Sequence, residues 1–331
     1  LLQSSAASDV YKRQVITLTW SSTNATSCSA SGTWSGNKAI SGTEDVTIST
    51  PGNNQFTITC SGAGGSQAAS VTVEGYRNTD GVVVDGYITG SDVFIDENEN
   101  WLSDADENST TSDNLGKFTL KYNNGSLVSI GGSDLDSQIL LNDFLLTHKL
   151  TGHTDFKVIT PVTSVMAFMS TPANINISLG IDDSIDISSF DPVANKGDGG
   201  INDYLYEKGN QLTILSYALQ NISNDLKTST DKTQDYFKAI SEELEKEYAE
   251  SSAKVDIEDE SFITNVLENL ITAKTLTITD EAKANILNAM SGLLPVIQVK
   301  TEDNITTGLI RFGLSTFQID IKTIANGTAS A

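Results

Sequence analysis

From residue 15 to 76 short apolar runs alternate with Ser, Thr and Gly. Ile16, Leu18 and Trp20 fall on one face of an expected strand, and Phe56, Ile58 and Cys60 on one face of another. Val71 and Val73 mark a further strand after the turn-rich Ser61–Ser66. A second β segment spans 80–132, with strand candidates at Val82–Val84, Tyr87–Ile88 and Val93–Ile95. Phe118, Leu120 and Tyr122 form another, and Asn123-Asn124-Gly125 marks a turn. From 133 to 325 the apolar period changes to that of helices. The stripes are Leu212, Leu215, Leu219, Ile222 and Leu226; Phe237, Ile240, Leu244 and Tyr248; and Phe262, Val266, Leu267, Leu270 and Ile271. A fourth stripe, Ala282, Ile286, Met290 and Leu293, starts after Thr279-Asp280 and stops before Pro295; a fifth runs from Ile305 through Leu309 to Phe312. Ser188–Ile201 reads as a long loop. The expected architecture is multi-domain: two small all-β sandwiches, then a mainly α-helical domain whose stripes face the inside of a bundle.

Charge narrows the partners. The 331 residues carry 43 acidic against 20 basic side chains, a net charge of −23. Nucleic acid and anionic membrane both require clustered Lys and Arg, so neither is an expected partner. No apolar run reaches the ~18 residues of a membrane span.

The only cysteines, Cys28 and Cys60, lie on two expected strands of the first segment. They either close a disulfide across a sandwich, as extracellular chains do, or stand as two buried thiols. Trp34 reads as a packing residue of loop or core ahead of an exposed binding aromatic. The chain opens without Met and ends in the polar Asn326–Ala331, and is expected to be a piece of a longer protein. Residues 1–14 contain SSAASDVYKRQ, which resembles translated adapter sequence at the ends of metagenomic assemblies; this leader is expected to lie outside the fold as artefact or disorder.

The candidate chemistry sits between two strands. In the twelve residues from Asp96 to Glu107, oxygen-bearing side chains occupy positions 1, 3, 5, 9 and 12 of a calcium loop: Asp96, Asn98, Asn100, Asp104 and Glu107. Leu102, at position 7, would contribute its carbonyl. Ca²⁺ is a hard ion that takes 6–8 oxygens in loose geometry, and this spacing supplies them. The departure is Trp101 at position 6, where Gly ordinarily takes a positive φ; either the loop turns differently or affinity falls. With a strand leading in and no amphipathic helix beside it, the loop is expected to stand alone in a β domain.

Two resemblances extend this reading. LTWSSTNATSCSASGTWSG (18–36) and FTITCSGAGGSQAASVTV (56–73) are similar to bacterial immunoglobulin-like domains, which implies a spacer or adhesive module. VVVDGYITGSDVFIDENENWLSDADENSTTSDNLGKFTL (82–120) resembles the B-type domain of serine–aspartate repeat surface proteins and carboxypeptidase regulatory-like domains. That likeness implies a prealbumin-like β-sandwich of extracellular type with structural calcium, and Asp113 as a turn-former. Gly131-Gly132-Ser133-Asp134 and Thr160-Pro161-Val162-Thr163 resemble elements that introduce helices in long marine bacterial surface proteins.

Enzymatic signatures are missing. No G-x-S-x-G, Walker, G-x-G-x-x-G or H-E-x-x-H pattern occurs, and nothing singles out a pair among the many carboxylates. His148 and His153 do not share a helical face and read as helix-end or surface residues. The expected protein is a non-enzymatic, extracellular, adhesin-type surface protein. Calcium stiffens its β modules, and its helical region meets an unknown protein or glycan ligand. An accessory or carbohydrate-binding part of a secreted hydrolase is the alternative.

Overall fold

The structure, a computed structural model, describes residues 2–7, 14–50, 52–76, 78–122, 125–136, 138, 140–141, 144–150, 156–197, 199–226, 234–274 and 278–293. The chain is rich in antiparallel sheet and carries helices. It divides into two compact units, Leu1–Thr79 and Asp80–Ala331.

The first unit is all β. Its strands are β1 (Leu2–Ala7), β2 (Val15–Ser21), β3 (Ser27–Gly32), β4 (Gly36–Lys38), β5 (Ser41–Thr47), β6 (Gly52–Gly62) and β7 (Gly65–Gly75). They form two antiparallel sheets, ordered β1-β2-β5 and β4-β3-β6-β7. The period-2 pattern does its expected work: Ile16, Leu18 and Trp20 of β2 and Phe56 and Ile58 of β6 share one buried cluster with Cys28, Trp34 and Ile48. Trp34 is a core residue. Its ring meets Trp20 edge-on at 5.4 Å, and its indole N–H donates to Thr57 O at 3.1 Å.

Two expectations change here. Residues 2–7 pair in register along β2 from Leu2↔Trp20 to Ala7↔Val15. An edge strand offers unpaired N–H and C=O groups that an extended segment of almost any composition can satisfy, which is how a Ser/Ala-rich leader joins a sheet. Cys28 and Cys60 are bonded, but within one sheet. They are register partners on adjacent strands β3 and β6 with Cα atoms 4.0 Å apart, not residues facing one another across a sandwich.

In the second unit the strands are β8 (Asn78–Val83), β9 (Ile88–Thr89), β10 (Asp92–Asp96), β11 (Ser109–Thr111), β12 (Lys117–Lys121), β13 (Ser126–Ile130), β14 (Ser133–Asp134), β15 (Leu145–Lys149) and β16 (Phe156–Ile159). The helices are α1 (Pro161–Phe168), α2 (Ile175–Leu179), α3 (Ile201–Leu226), α4 (Gln234–Ser251), α5 (Glu260–Lys274) and α6 (Asp280–Leu293). One sheet runs β11-β10-β13-β15, a second β12-β8-β16, and β9 pairs with β14. The β8–β16 pair is parallel.

The expected boundary at residue 132 therefore falls inside one unit. β15 and β16 lie beyond it, yet each completes a sheet begun before it. The reason is burial. Val93, Ile95 and Leu127 on the strands share a single apolar cluster with Leu212, Leu215, Phe237, Ile240, Phe262 and Val266 on the helices, so neither layer covers its own face alone. The described members of the stripes are buried on α3–α6, with Tyr248 and Ile271 partly buried; the side chains of Ile222, Leu226, Ala282 and Leu293 lie outside the described residues. Ile305, Leu309 and Phe312, like Pro295, lie outside the described residues.

Helix α1 shows how locally its start is encoded. Thr160 is its N-cap, with Pro161 in the first turn. The Thr163 N–H donates to Thr160 Oγ1 at 3.0 Å and the Thr160 N–H to Thr163 Oγ1 at 2.8 Å. His148 departs from its expected surface position. It sits inside strand β15, 1 % exposed, with Nδ1 2.7 Å from Val158 O; that oxygen can only accept, so Nδ1 carries the proton. His153 lies outside the described residues.

Candidate functional site

The loop from Asp96 to Glu107 joins β10 to β11, which pair antiparallel from Asp92↔Thr111 to Phe94↔Ser109. The Ile95 N–H reaches Asn108 O at 3.1 Å, closing the neck of the loop. Asp96, the last residue of β10, is fully buried, because β13 covers it through the Asp96↔Ser126 pair. The loop hangs from a hairpin of a sheet.

Its side chains turn inward. Asp96 Oδ1 accepts the Asn100 N–H at 3.2 Å and Oδ2 the Trp101 N–H at 2.9 Å. Asn98 Oδ1 accepts the Asn100 N–H at 3.0 Å, and Asn100 Oδ1 accepts the Leu102 N–H at 2.7 Å. Glu107 closes the far end, taking the Glu97 N–H at 2.8 Å and the Asp104 N–H at 3.2 Å. The Asn98 and Asn100 amides both donate to Asp104 Oδ2, at 2.8 and 2.6 Å. The side chains at positions 1, 3, 5, 9 and 12 thus form one connected set.

Two residues hold the chain in this coil. Glu99 and Trp101 have φ of 59° and 64°, both left-handed. Position 6 therefore turns as the calcium-loop pattern requires, with a bulky residue where Gly is usual; the cost is about 1–2 kcal/mol. Trp101 offsets this by packing on the buried Phe94, Val128 and Leu145, with its ring 5.2 Å from that of Phe168.

Asp96–Glu107 holds six acidic residues and no basic one. Among the described residues no three His, Cys, Asp or Glu side chains form a group that could hold a metal ion. The carboxylates of Asp96, Asp104 and Glu107 are held by backbone N–H groups and by the Asn98 and Asn100 amides, so the loop's oxygen donors are three carboxylates and two amides. That chemistry, hard oxygens on a coiled backbone, suits Ca²⁺ and not a soft or strictly octahedral ion. Leu102 lies at position 7 with its side chain 54 % exposed.

Asp113 is a turn-former. Its Oδ1 accepts the Leu115 and Lys117 N–H groups at 2.8 and 2.9 Å. Gly116, with φ of 72°, follows within the same turn; a Cβ there would come 2.6 Å from Val83 O.

Sequence reasoning missed a second acidic group, which is interior. Asp85 is 6 % exposed and Asp134 5 % exposed, with Asp136 beside them. Burial pushes the Asp85 carboxyl well above the usual range, and the charges of Asp134 and Asp136 push it further. Thr213 offsets part of this, yet Asp85 Oδ1 and Thr213 Oγ1 are both buried with no hydrogen bond of ordinary geometry. Asp136 is better served: Lys196 Nζ and the Tyr206 hydroxyl each donate to its Oδ2 at 2.7 Å. The only sequence signal was Asp85-Gly86 after an apolar run, which reads as a turn.

No protein family, curated protein or solved structure matches the chain. Among the described residues no helix is long and apolar enough to cross a membrane.

Proposed function

We propose that this chain belongs to an extracellular, adhesin-type bacterial surface protein, that it is not an enzyme, and that calcium bound at 96–107 stiffens the hairpin carrying the loop. One observation carries the reading: the oxygen side chains at loop positions 1, 3, 5, 9 and 12 are already drawn into one hydrogen-bonded set, with position 6 left-handed. Asp96, Asn98, Asn100, Asp104 and Glu107 would hold the ion, with the Leu102 carbonyl. The ion would supply positive charge to a loop that has none of its own. Both amides now donate to Asp104, so these contacts act in place of a cation.

The immunoglobulin-like and prealbumin-like resemblances support the surface reading, as does the disulfide, which persists in oxidising compartments. The β modules serve as a spacer, and a protein or glycan is the ligand of the helical region.

Calcium selects the folded state by mass action. With a Kd of 10⁻⁴–10⁻³ M, typical of extracellular modules, 10 mM Ca²⁺ stabilises by about 1.4–2.7 kcal/mol. That raises the melting temperature by about 3–10 °C. Glu107→Gln removes this rise, and Asp96→Ala removes it while also lowering the calcium-free melt. Identical melts in calcium and in chelator would sink the reading.

A further inference from the structure

We infer that Phe168, at the end of α1, is a positioning residue for the cation loop: by holding the Trp101 ring it keeps loop position 6 left-handed. The inference rests on the calcium reading of 96–107 and extends it to a residue on another element.

A left-handed Trp is disfavoured where Gly is free, so something must hold it. The Trp101 N–H is also one of the two groups that orient the Asp96 carboxylate. If Trp101 leaves its conformation, the first ligand loses a donor and the coil opens. Side-chain packing opposes this, and Phe168 supplies the ring contact, 5.2 Å between centroids at an interplanar angle of 38°.

Phe168 is itself well fixed. It packs, partly buried, on the main core. Helix α1 is capped at Thr160, and the residues that follow Phe168 are tied down by α4. Glu245 accepts the Ser170 N–H at 3.0 Å, the Thr171 N–H at 2.7 Å and the Ser170 hydroxyl at 2.9 Å. The ring against Trp101 is thus presented by a rigid element, as a site support needs to be. Leu102, the next loop residue, is exposed and contributes no comparable anchor.

Coupling of this kind is reciprocal: if the stack favours the binding conformation, the ion must favour the stack. Calcium titration calorimetry on the full chain tests it. Phe168→Leu keeps an apolar side chain on α1 and deletes the ring; it is expected to weaken calcium about tenfold, near the factor by which left-handed backbone is disfavoured. Phe168→Tyr restores affinity. In a Trp101→Gly background, where position 6 needs no help, Phe168→Leu leaves affinity unchanged. Wild-type affinity in Phe168→Leu overturns the inference, and so does an equal loss in both backgrounds, the mark of a general packing role. A wild-type chain that binds no calcium sinks the calcium reading and this inference together.

Discussion

The interiors of the two units are built on different terms. In Leu1–Thr79 the core is Trp20, Trp34, Phe56 and aliphatic side chains, and the strongest tie is covalent, the bond between Cys28 and Cys60. In Asp80–Ala331 the apolar core is larger, and polar groups are sealed into that unit as well: Asp85, Asp96, Asp134, His148 and Glu243 are each no more than 6 % exposed. Each buried polar group must find a partner or shift its proton affinity. Glu243 finds partners, accepting from Lys246, Asn265 and Asn269. Asp96 finds backbone N–H groups. Asp85 shifts its proton affinity, and His148 shifts although its Nδ1–H donates to Val158 O. The first unit should therefore respond to redox conditions and the second to pH and cations.

The redox arm carries the largest expected effect. Cys28 and Cys60 are 32 residues apart in sequence. Closing a loop of that length stabilises by about 3–4 kcal/mol in the chain-entropy model. Reduction, or Cys28→Ser with Cys60→Ser, should lower the unfolding free energy of the first unit by that amount and its denaturant midpoint with it, read from Trp20 and Trp34 fluorescence. A midpoint insensitive to reductant would erase this side of the contrast.

Next comes the His148 contribution. Desolvation lowers its pKa from 6.5 to about 4, with Lys157 adding to the fall and the Val158 hydrogen bond opposing it. The sign follows from proton counting: between pH 6.5 and about 4 the unfolded chain binds the proton and the folded one does not, so stability is present above 6.5 and lost as pH falls through this window. The full loss is about 3 kcal/mol. Urea unfolding of the second unit from pH 7 to 4 should show it, and His148→Gln should flatten the slope. An unchanged slope in that variant would assign the acid sensitivity elsewhere.

Much of the contrast was legible in sequence, though unevenly. Alternation in β2 and β6 marks the first core correctly, because a half-buried strand leaves its pattern residue by residue. Helical stripes mark α3–α5 for the same reason. The pairing of β16 beside β8 was not legible. Parallel pairing joins segments with Asp80 matched to Phe156, and local pattern is silent about such a distant partner. The disulfide partners were readable, but not their geometry, since strand order is not encoded in spacing. In the loop the oxygen-bearing residues and their spacing were plain, while the contact of the Trp101 ring with Phe168 depends on tertiary packing. His148 and Asp85 were misplaced or missed because a polar residue in sequence gives no sign of burial; each sits in a segment whose neighbours are apolar enough to pull it inside.

Asp85 sharpens the comparison most, although its expected effect is the smallest. Its carboxyl is raised by burial and by Asp134 and Asp136, so folding favours the protonated form. For a carboxyl whose folded pKa lies above its unfolded one, stability is fully present below the unfolded value near 3.8 and falls as pH rises through the folded value. His148 loses stability on acidification, and Asp85 loses it on the way back up. From pH about 4 to 6.5 the two groups therefore pull stability in opposite directions, so Asp85→Asn should steepen the acid loss that His148 produces. Asp85→Asn removes the charge and keeps the shape, and should stabilise that unit at neutral pH by about 1–3 kcal/mol, the range for relieving an unsatisfied buried group. Below the carboxyl range the gain should vanish, because the wild-type carboxyl is then neutral as well. Destabilisation by Asp85→Asn at pH 7 would show that the charge is matched by a donor, and the contrast between a loop whose carboxylates are satisfied and an interior whose carboxylate is not would fail.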